Sequence, residues 1–371
     1  MNRTVHILRM IIALILFVIA LELCARLDDY VMFRASILGV YSSENLYEND
    51  QLGKRGKPFA RYRKWQLNEL GYRGPHLNND CVHLVTFGAS ETFGLYESDD
   101  KDYPRQLERE LNNRAGKPLY QVMNVAYPGQ TLPTATLRVP EIVAKVHPQI
   151  ALIYASPAFY IDAPENSHTF ARAVNQPVFE FRITDRLHNL AKSVLPEAVQ
   201  TKLRTWEIQR SIGHRPAIDR LPEEAISRFR DDLTKMITTL HASGVRPVVI
   251  THATIFGVVP KNPDHAMLTA WRKFYPQLKE DGFLDLEERT NEAMREVARQ
   301  QQVTLVDIAR EVPPGATYFA DFVHFTDVGA AVMAKRLADG IEPLLLQLSD
   351  PRYVNTARAR PNHSRGNVVT Q

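Results

Sequence analysis

Five short apolar, β-favouring runs constrain this chain more than any other feature: residues 82–87, 120–125, 148–154, 245–251 and 303–308. Val82, Leu84, Val85 and Phe87 typify the first. Runs of this length bounded by turn residues read as strands buried on both faces. Between them lie segments of helical period. Leu107 and Leu111 stand four apart in 104–114, and 134–146 carries Pro140 as a kink. Ile226, Phe229, Leu233, Ile237 and Leu240 share one face of 222–243, with Gly244 as the stop. Further helices are expected over 284–301 and over 328–346, the last capped by Asp327. The alternation predicts an α/β fold, a flavodoxin-like three-layer sandwich around a central, mainly parallel five-stranded sheet.

Chemistry enters where the first strand ends, at Gly88-Ala89-Ser90-Glu91-Thr92-Phe93-Gly94. A small-residue turn there lifts a serine to the carboxyl edge of the sheet, where such folds place their ligands. The spacing is not the Gly-x-Ser-x-Gly of α/β-hydrolases, because Thr92 stands where that motif has its second glycine. A glycine-rich turn with a structural serine has the same pattern. Far downstream, Asp321-Phe322-Val323-His324-Phe325-Thr326 puts an Asp three residues before a His. A carboxylate can hold an imidazole in one tautomer, and that imidazole can take a proton from a serine.

The early Gly-x-Ser-x-Thr-x-Gly and the late Asp-x-x-His-Phe-Thr, in that order, resemble the SGNH (GDSL-like) hydrolase superfamily, especially its membrane-anchored bacterial members. The resemblance runs from about Asn68 to about Leu348 and includes Asn68-x-x-Gly71-Tyr72-Arg73-Gly74, like the segment preceding the catalytic domain there. It implies Ser90 as nucleophile, His324 as general base and then acid, and Asp321 as the group that orients His324. It also implies an oxyanion hole from the backbone N–H groups of Ser90 and Gly129. One departure is plain. Where the family has Gly-x-Asn-Asp after the third strand, this chain reads Ala155-Ser156-Pro157-Ala158, so Pro157 takes the place of the oxyanion Asn. Proline has neither a side-chain donor nor an N–H, and loss of one such donor lowers turnover by ~10²–10³. Ser156, Tyr160 and Asn166 are the candidate replacements.

The implied reaction is acyl transfer from an ester, to water in an esterase or deacetylase acting on envelope carbohydrate esters. An O-acyltransferase with the same triad and a catalytically weak binding domain are the alternatives. The implied partners are an acyl-ester or acylated-glycan substrate and a membrane, with no cofactor.

Of 371 residues, 44% are hydrophobic and 23% charged, enough for one large core with an insertion. The formal charge is only +3, and no dense basic tract is interleaved with aromatics, which argues against nucleic acid. Cys24 and Cys81 make no disulfide framework, and no Cys/His cluster has zinc spacing, so no metal is expected. His83 and His252, near strand ends, read as satisfied core residues. Glu91 either shapes the entrance or faces solvent.

The N-terminus is uninterrupted apolar from Met10 to Leu21, and residues 7–24 add only Arg9 and Glu22 as charges. That is near the ~17–20 residues a spanning helix needs. Arg3 and Arg9 precede it and Asp28 and Asp29 follow, so the positive-inside rule puts the remainder outside the cytoplasm. A signal peptide cleaved after Ala20 is the rival to an uncleaved anchor. The expected organisation is a signal-anchor over 1–27, a juxtamembrane segment over 28–75, and a catalytic domain over 76–348. That domain carries a helical insertion near 163–220, and a disordered tail follows over 349–371.

Overall fold

A computed structural model describes residues 3–161, 181–212, 217–258, 260 and 263–349. The chain opens with α1 (Arg3–Phe33) and two small antiparallel hairpins. These are β1 (Tyr47–Asp50) with β2 (Gly53–Gly56), and β3 (Arg61–Tyr62) with β4 (Trp65–Gln66). Next come β5 (Val82–Gly88), α2 (Ser90–Phe93), α3 (Tyr103–Ala115), β6 (Tyr120–Asn124), α4 (Leu132–Val146) and β7 (Ile150–Tyr154). They are followed by α5 (Arg182–Val194), α6 (Glu197–Ile212), α7 (Glu223–Ala242), β8 (Arg246–Ile250), α8 (His265–Arg272) and α9 (Glu280–Gln300). The chain closes through β9 (Thr304–Val306), α10 (Ile308–Glu311) and α11 (Asp327–Ser349).

The five expected strands form one fully parallel sheet in the order β6-β5-β7-β8-β9. Numbered within the sheet this is 2-1-3-4-5, the flavodoxin-like order, which reverses direction at its first and third strands. Here those are β5 and β7, paired from Leu84↔Ile150 to Gly88↔Tyr154. Their carboxyl ends therefore open the crevice where such sheets bind ligands.

Side chains alternate between two cores, as the period of two requires. Val85, Phe87 and Ile153 pack with Val139, Phe229, Leu233 and Met294 from α4, α7 and α9. Leu84, Val122, Leu152 and Val248 pack with Leu107, Leu111, Met333 and Leu337 from α3 and α11. Both faces are covered, which is why the strands read as continuous apolar runs. α8 was not evident from the pattern, yet its Trp271 stacks on Phe283 at 4.7 Å and on Phe322 at 5.0 Å. That stack ties the loop carrying Asp321 and His324 to the core.

Two ends differ from expectation. α4 begins at Leu132, because Thr131 and Thr134 form a reciprocal capping box, and Pro140 lies inside the helix. At α11 the Thr326 hydroxyl, not Asp327, accepts the Gly329 N–H at 3.1 Å. Asp327 Oδ1 instead accepts the Ser98 N–H at 2.7 Å.

α1 is longer than the expected anchor. The helix over Val5–Phe33 is long and apolar enough to cross a membrane, and an 18-residue stretch within it has a mean hydropathy of 2.7 and is almost wholly exposed. Glu22, Arg26 and Asp29, spaced to share one face, are buried. Glu22 pairs with Arg26 at 2.7 Å and accepts the first N–H groups of α5 from Arg182 and Ile183. Arg186 reaches Asp28 at 2.6 Å and Asp29 at 2.9 Å. The carboxyl end of α1 is thus held by protein, while residues 5–19 stay bare. α5 and α6 carry the helical pattern expected over 187–212; the start of that insertion and the expected tail from 350 onward lie outside the described residues.

Candidate active site

The Ser90 turn is shaped by close packing. A Cβ on Gly88 would stand 2.0 Å from Thr92 Oγ1 and 2.9 Å from the Tyr154 carbonyl, so only glycine fits. Gly94 closes α2 at φ +82°, and a Cβ there would stand 2.4 Å from Arg73 Nη1. Both motif glycines are therefore required by contact. Thr92 Oγ1 lies 3.0 Å from the Tyr103 hydroxyl. The effect is to present half-buried Ser90 at the carboxyl end of β5.

Arg73, which sequence reasoning left without a role, clamps this turn from below. It is buried, donates to the Phe93 and Gly94 carbonyls, and pairs with Asp102 at 3.2 Å. Asn124 at the end of β6 donates to the Thr92 carbonyl at 2.8 Å and to Asp102 at 3.2 Å. A charged pair removed from water needs such extra hydrogen bonds to be tolerated.

Asp321 and His324 are brought together. Asp321 Oδ1 accepts the backbone N–H groups of Val323 at 3.0 Å and His324 at 2.9 Å. His324 Nδ1 lies 2.8 Å from Asp321 Oδ2. With its Nδ1–H donating a hydrogen bond to Asp321, the neutral ring has its lone pair on Nε2. Nε2 is buried and has no hydrogen-bond partner among the described residues. The Tyr96 ring lies 5.2 Å from the His324 ring, and burial together with the nearby Asp321 carboxylate raises the Tyr96 hydroxyl above its ordinary value. Burial pushes the imidazole down, but Asp321, Glu91 and Glu97 outweigh it and lift His324 above its ordinary value.

Ser90 engages a different partner. Its hydroxyl donates to Glu91 Oε2 at 3.2 Å. Glu91 is buried, contrary to the solvent-facing alternative, and its Oε1 lies 3.4 Å from His252 Nε2. His252 Nδ1 lies 2.8 Å from Glu287 Oε2 on α9. Asn291 grips the His252 backbone from both sides, accepting its N–H at 2.7 Å and donating to its carbonyl at 2.8 Å. His252 is thus a satisfied buried residue, as expected, but in an ionic chain. Burial raises Glu91, yet the hydrogen bond from His252 and the charges of His324 and His252 bring it below the usual carboxylate range. Burial lowers His252, and Glu287 and Glu91 more than reverse that. No periodic pattern marks these residues, because the contact joins α2, β8 and α9.

The expected oxyanion residues sit on neighbouring strand ends. Gly129, at φ +85° and half-buried, follows β6 beside β5. Pro157 is buried at the start of a single 3-10 turn after β7. Of the candidate replacement donors, Tyr160 is committed elsewhere, its hydroxyl 2.7 Å from Asp232 on α7. Asn166 lies outside the described residues, and Ser156 stays half-buried at the end of β7. His83 is buried, with Nε2 2.8 Å from the Asn78 carbonyl at the opposite edge of the sheet. A cavity of about 330 Å³ lies between the β3–β4 hairpin and α3 and is lined by neither Ser90 nor His324. Among the described residues no cluster of three or more His, Cys, Asp or Glu is arranged to hold a metal.

No protein-family model matches the chain, and no curated protein matches it. Among solved structures it is similar to a lipase/acylhydrolase from Enterococcus faecalis, at 14% identity, covering 71% of this chain and 96% of that chain with a TM-score of 0.43. It is similar also to TesA, at 13% identity, 71% of this chain and 99% of that chain, TM-score 0.40. A GDSL-like lipase from Bacteroides thetaiotaomicron is similar at 13% identity, 71% of this chain and 88% of that chain, TM-score 0.38. Each is a likeness in fold alone.

Proposed function

We propose that this protein is a membrane-tethered serine acyl-ester hydrolase whose catalytic domain faces outside the cytoplasm. The observation that carries the reading is the Asp321–His324 pair, which leaves an imidazole nitrogen without a partner among the described residues and whose imidazole charge acts on Glu91, the residue after Ser90. In this reading His324 Nε2 takes the Ser90 hydroxyl proton as Oγ attacks the ester carbonyl. The oxyanion is held by the N–H groups of Ser90 and Gly129. The tetrahedral intermediate expels the alcohol, which receives the proton from His324, and leaves Ser90 acylated. Water then attacks the acyl-enzyme with His324 again as base, releasing the carboxylic acid and restoring Ser90. A sugar hydroxyl in place of that water would make the same residues an O-acyltransferase.

Tethering is supported by α1, with its bare apolar stretch and its ion-paired outer end. Orientation is supported by Arg3 and Arg9 ahead of that stretch. Acylated carbohydrates of the cell envelope are the substrate class that fits such a location. The purified full-length chain in detergent is expected to cleave short p-nitrophenyl esters, and His324→Ala to abolish the turnover. A reporter active only outside the cytoplasm is expected to work when fused after Leu348; a cytoplasmic result removes the envelope substrate.

One observation favours a second reading. Pro157 offers no donor and Tyr160 is taken up by Asp232, so neither of these positions supplies a side-chain donor to the oxyanion. A catalytically weak domain that binds acylated ligands follows from that. Ligand binding without turnover or covalent labelling would select it.

A further inference from the structure

We propose that Glu91 is a positioning residue for this site: a buried anion, fixed by His252 and Glu287, that orients the Ser90 hydroxyl and sets a negative charge near His324. The proposal rests on the hydrolase reading for its catalytic meaning, and on the geometry of the buried chain for its physical content.

The chain runs Ser90 Oγ, Glu91, His252, Glu287, with spacings of 3.2, 3.4 and 2.8 Å. All three charged members are at least nine-tenths buried. A lone carboxylate in such a place would neutralise itself by taking up a proton. Here an imidazolium lies between two carboxylates, so the set carries one net negative charge and both ring nitrogens have acceptors. His252 cannot swing away, because Asn291 holds its backbone and its ring lies 5.1 Å from that of Tyr154 in a stack. Glu91 in turn is the first residue after the nucleophile, on a four-residue helix fixed by Arg73 and Thr92. The charge beside Ser90 is therefore both permanent and immobile.

Its second effect falls on His324. The groups facing that ring are Asp321 on its own loop, Tyr96 and Glu97 on the loop after α2, and Glu91 on α2 itself. Around Glu91 stand His252, His324 and the hydroxyls of Tyr103 and Tyr154. When His324 takes the serine proton it becomes an imidazolium under the influence of carboxylates from two different elements, Asp321 in contact and Glu91 through its charge. Asp321 holds its geometry, and Glu91 adds charge without competing for Nδ1. The resting hydrogen bond from Ser90 to Glu91 keeps the hydroxyl oxygen in place and its proton off the substrate path until His324 takes it.

The test reads His324 directly, by nitrogen-15 NMR titration of the full-length protein in detergent, with His324→Gln to assign the signal. Glu91→Gln keeps the shape and removes the charge, and is expected to lower the His324 midpoint by roughly 0.5–1 pH unit. Glu91→Asp keeps the charge and is expected to restore most of that shift. His252→Gln removes the cation that keeps Glu91 ionised, so it should give the same downward shift as Glu91→Gln, and the double variant no more than either alone. The ascending limb of kcat/KM should move with the NMR midpoint. An unmoved His324 midpoint in Glu91→Gln, or shifts that add in the double variant, overturns the proposal. If the midpoint moves but no ester is cleaved by any variant, the hydrolase reading fails while the electrostatic link stands.

Discussion

Asp321 holds His324 at two points, one carboxylate oxygen on its backbone N–H at 2.9 Å and the other 2.8 Å from its Nδ1. The backbone contacts mean that the loop keeps its shape when only the acceptor at Nδ1 is changed. Asp321→Asn is therefore expected to fold normally and to lower kcat by roughly 10²–10⁴, through loss of the charge and of the tautomer. His324→Ala should cost more than Asp321→Asn. Steady-state kinetics with thermal unfolding as the folding control checks both.

The pH profile follows from the same contacts. Burial opposes the charged ring, but Asp321, Glu91 and Glu97 hold His324 above its ordinary value near 6.5. The base must be neutral to act, so a raised value delays its activation as pH rises. The ascending limb of kcat/KM is expected to have its midpoint above pH 6.5. A midpoint at or below the ordinary value would mean that these carboxylates do not act on His324.

Pro157 makes a third expectation. It is buried at the first position of its 3-10 turn, where its ring supplies φ and its missing N–H goes unused. Pro157→Asn is expected to raise turnover on short esters, by as much as ~10²–10³ if the amide reaches the oxyanion. A folded variant with unchanged kcat would show that another donor, Ser156 or Asn166, already fills the role.

Glu97 offers a stability test beside the site. Its carboxyl is buried, and burial, with Asp102 nearby adding to it, lifts it to about 7 despite Arg73 and His324. The folded state therefore binds a proton that the unfolded chain has already released between about pH 4.5 and 7, and stability falls across that window. From 4.5 to about 7 this amounts to ~3 kcal/mol at 1.36 kcal/mol per unit. Glu97→Gln removes that cost and can keep the contact from the Tyr96 N–H. Denaturant unfolding should show the variant gaining on the wild type at pH 8 and not at pH 4.

The sheet was legible because burial on both faces writes itself as apolar runs, and helical segments between successive strands mark the pairing as parallel. Asp321 and His324 were legible because three residues of one loop make the contact. Glu91, His252 and Glu287 were not, since their contact is between elements 161 and 35 residues apart along the chain. The β1–β2 hairpin was missed because four-residue strands are too short to show a period. Arg73 was visible only as part of a resemblance; its task, clamping the Ser90 turn, depends on Asp102 and on two carbonyls that no pattern marks.

The central claim is that Ser90 is the nucleophile, and covalent labelling tests it most directly. A serine-directed phosphonate should add to the wild-type chain at Ser90, shown by mass spectrometry of the modified peptide, and should leave Ser90→Ala unmodified. His324→Ala should label far more slowly, because nucleophile and base act as one unit and their losses do not add. Labelling at another serine, or equal labelling of wild type and His324→Ala, would contradict the account.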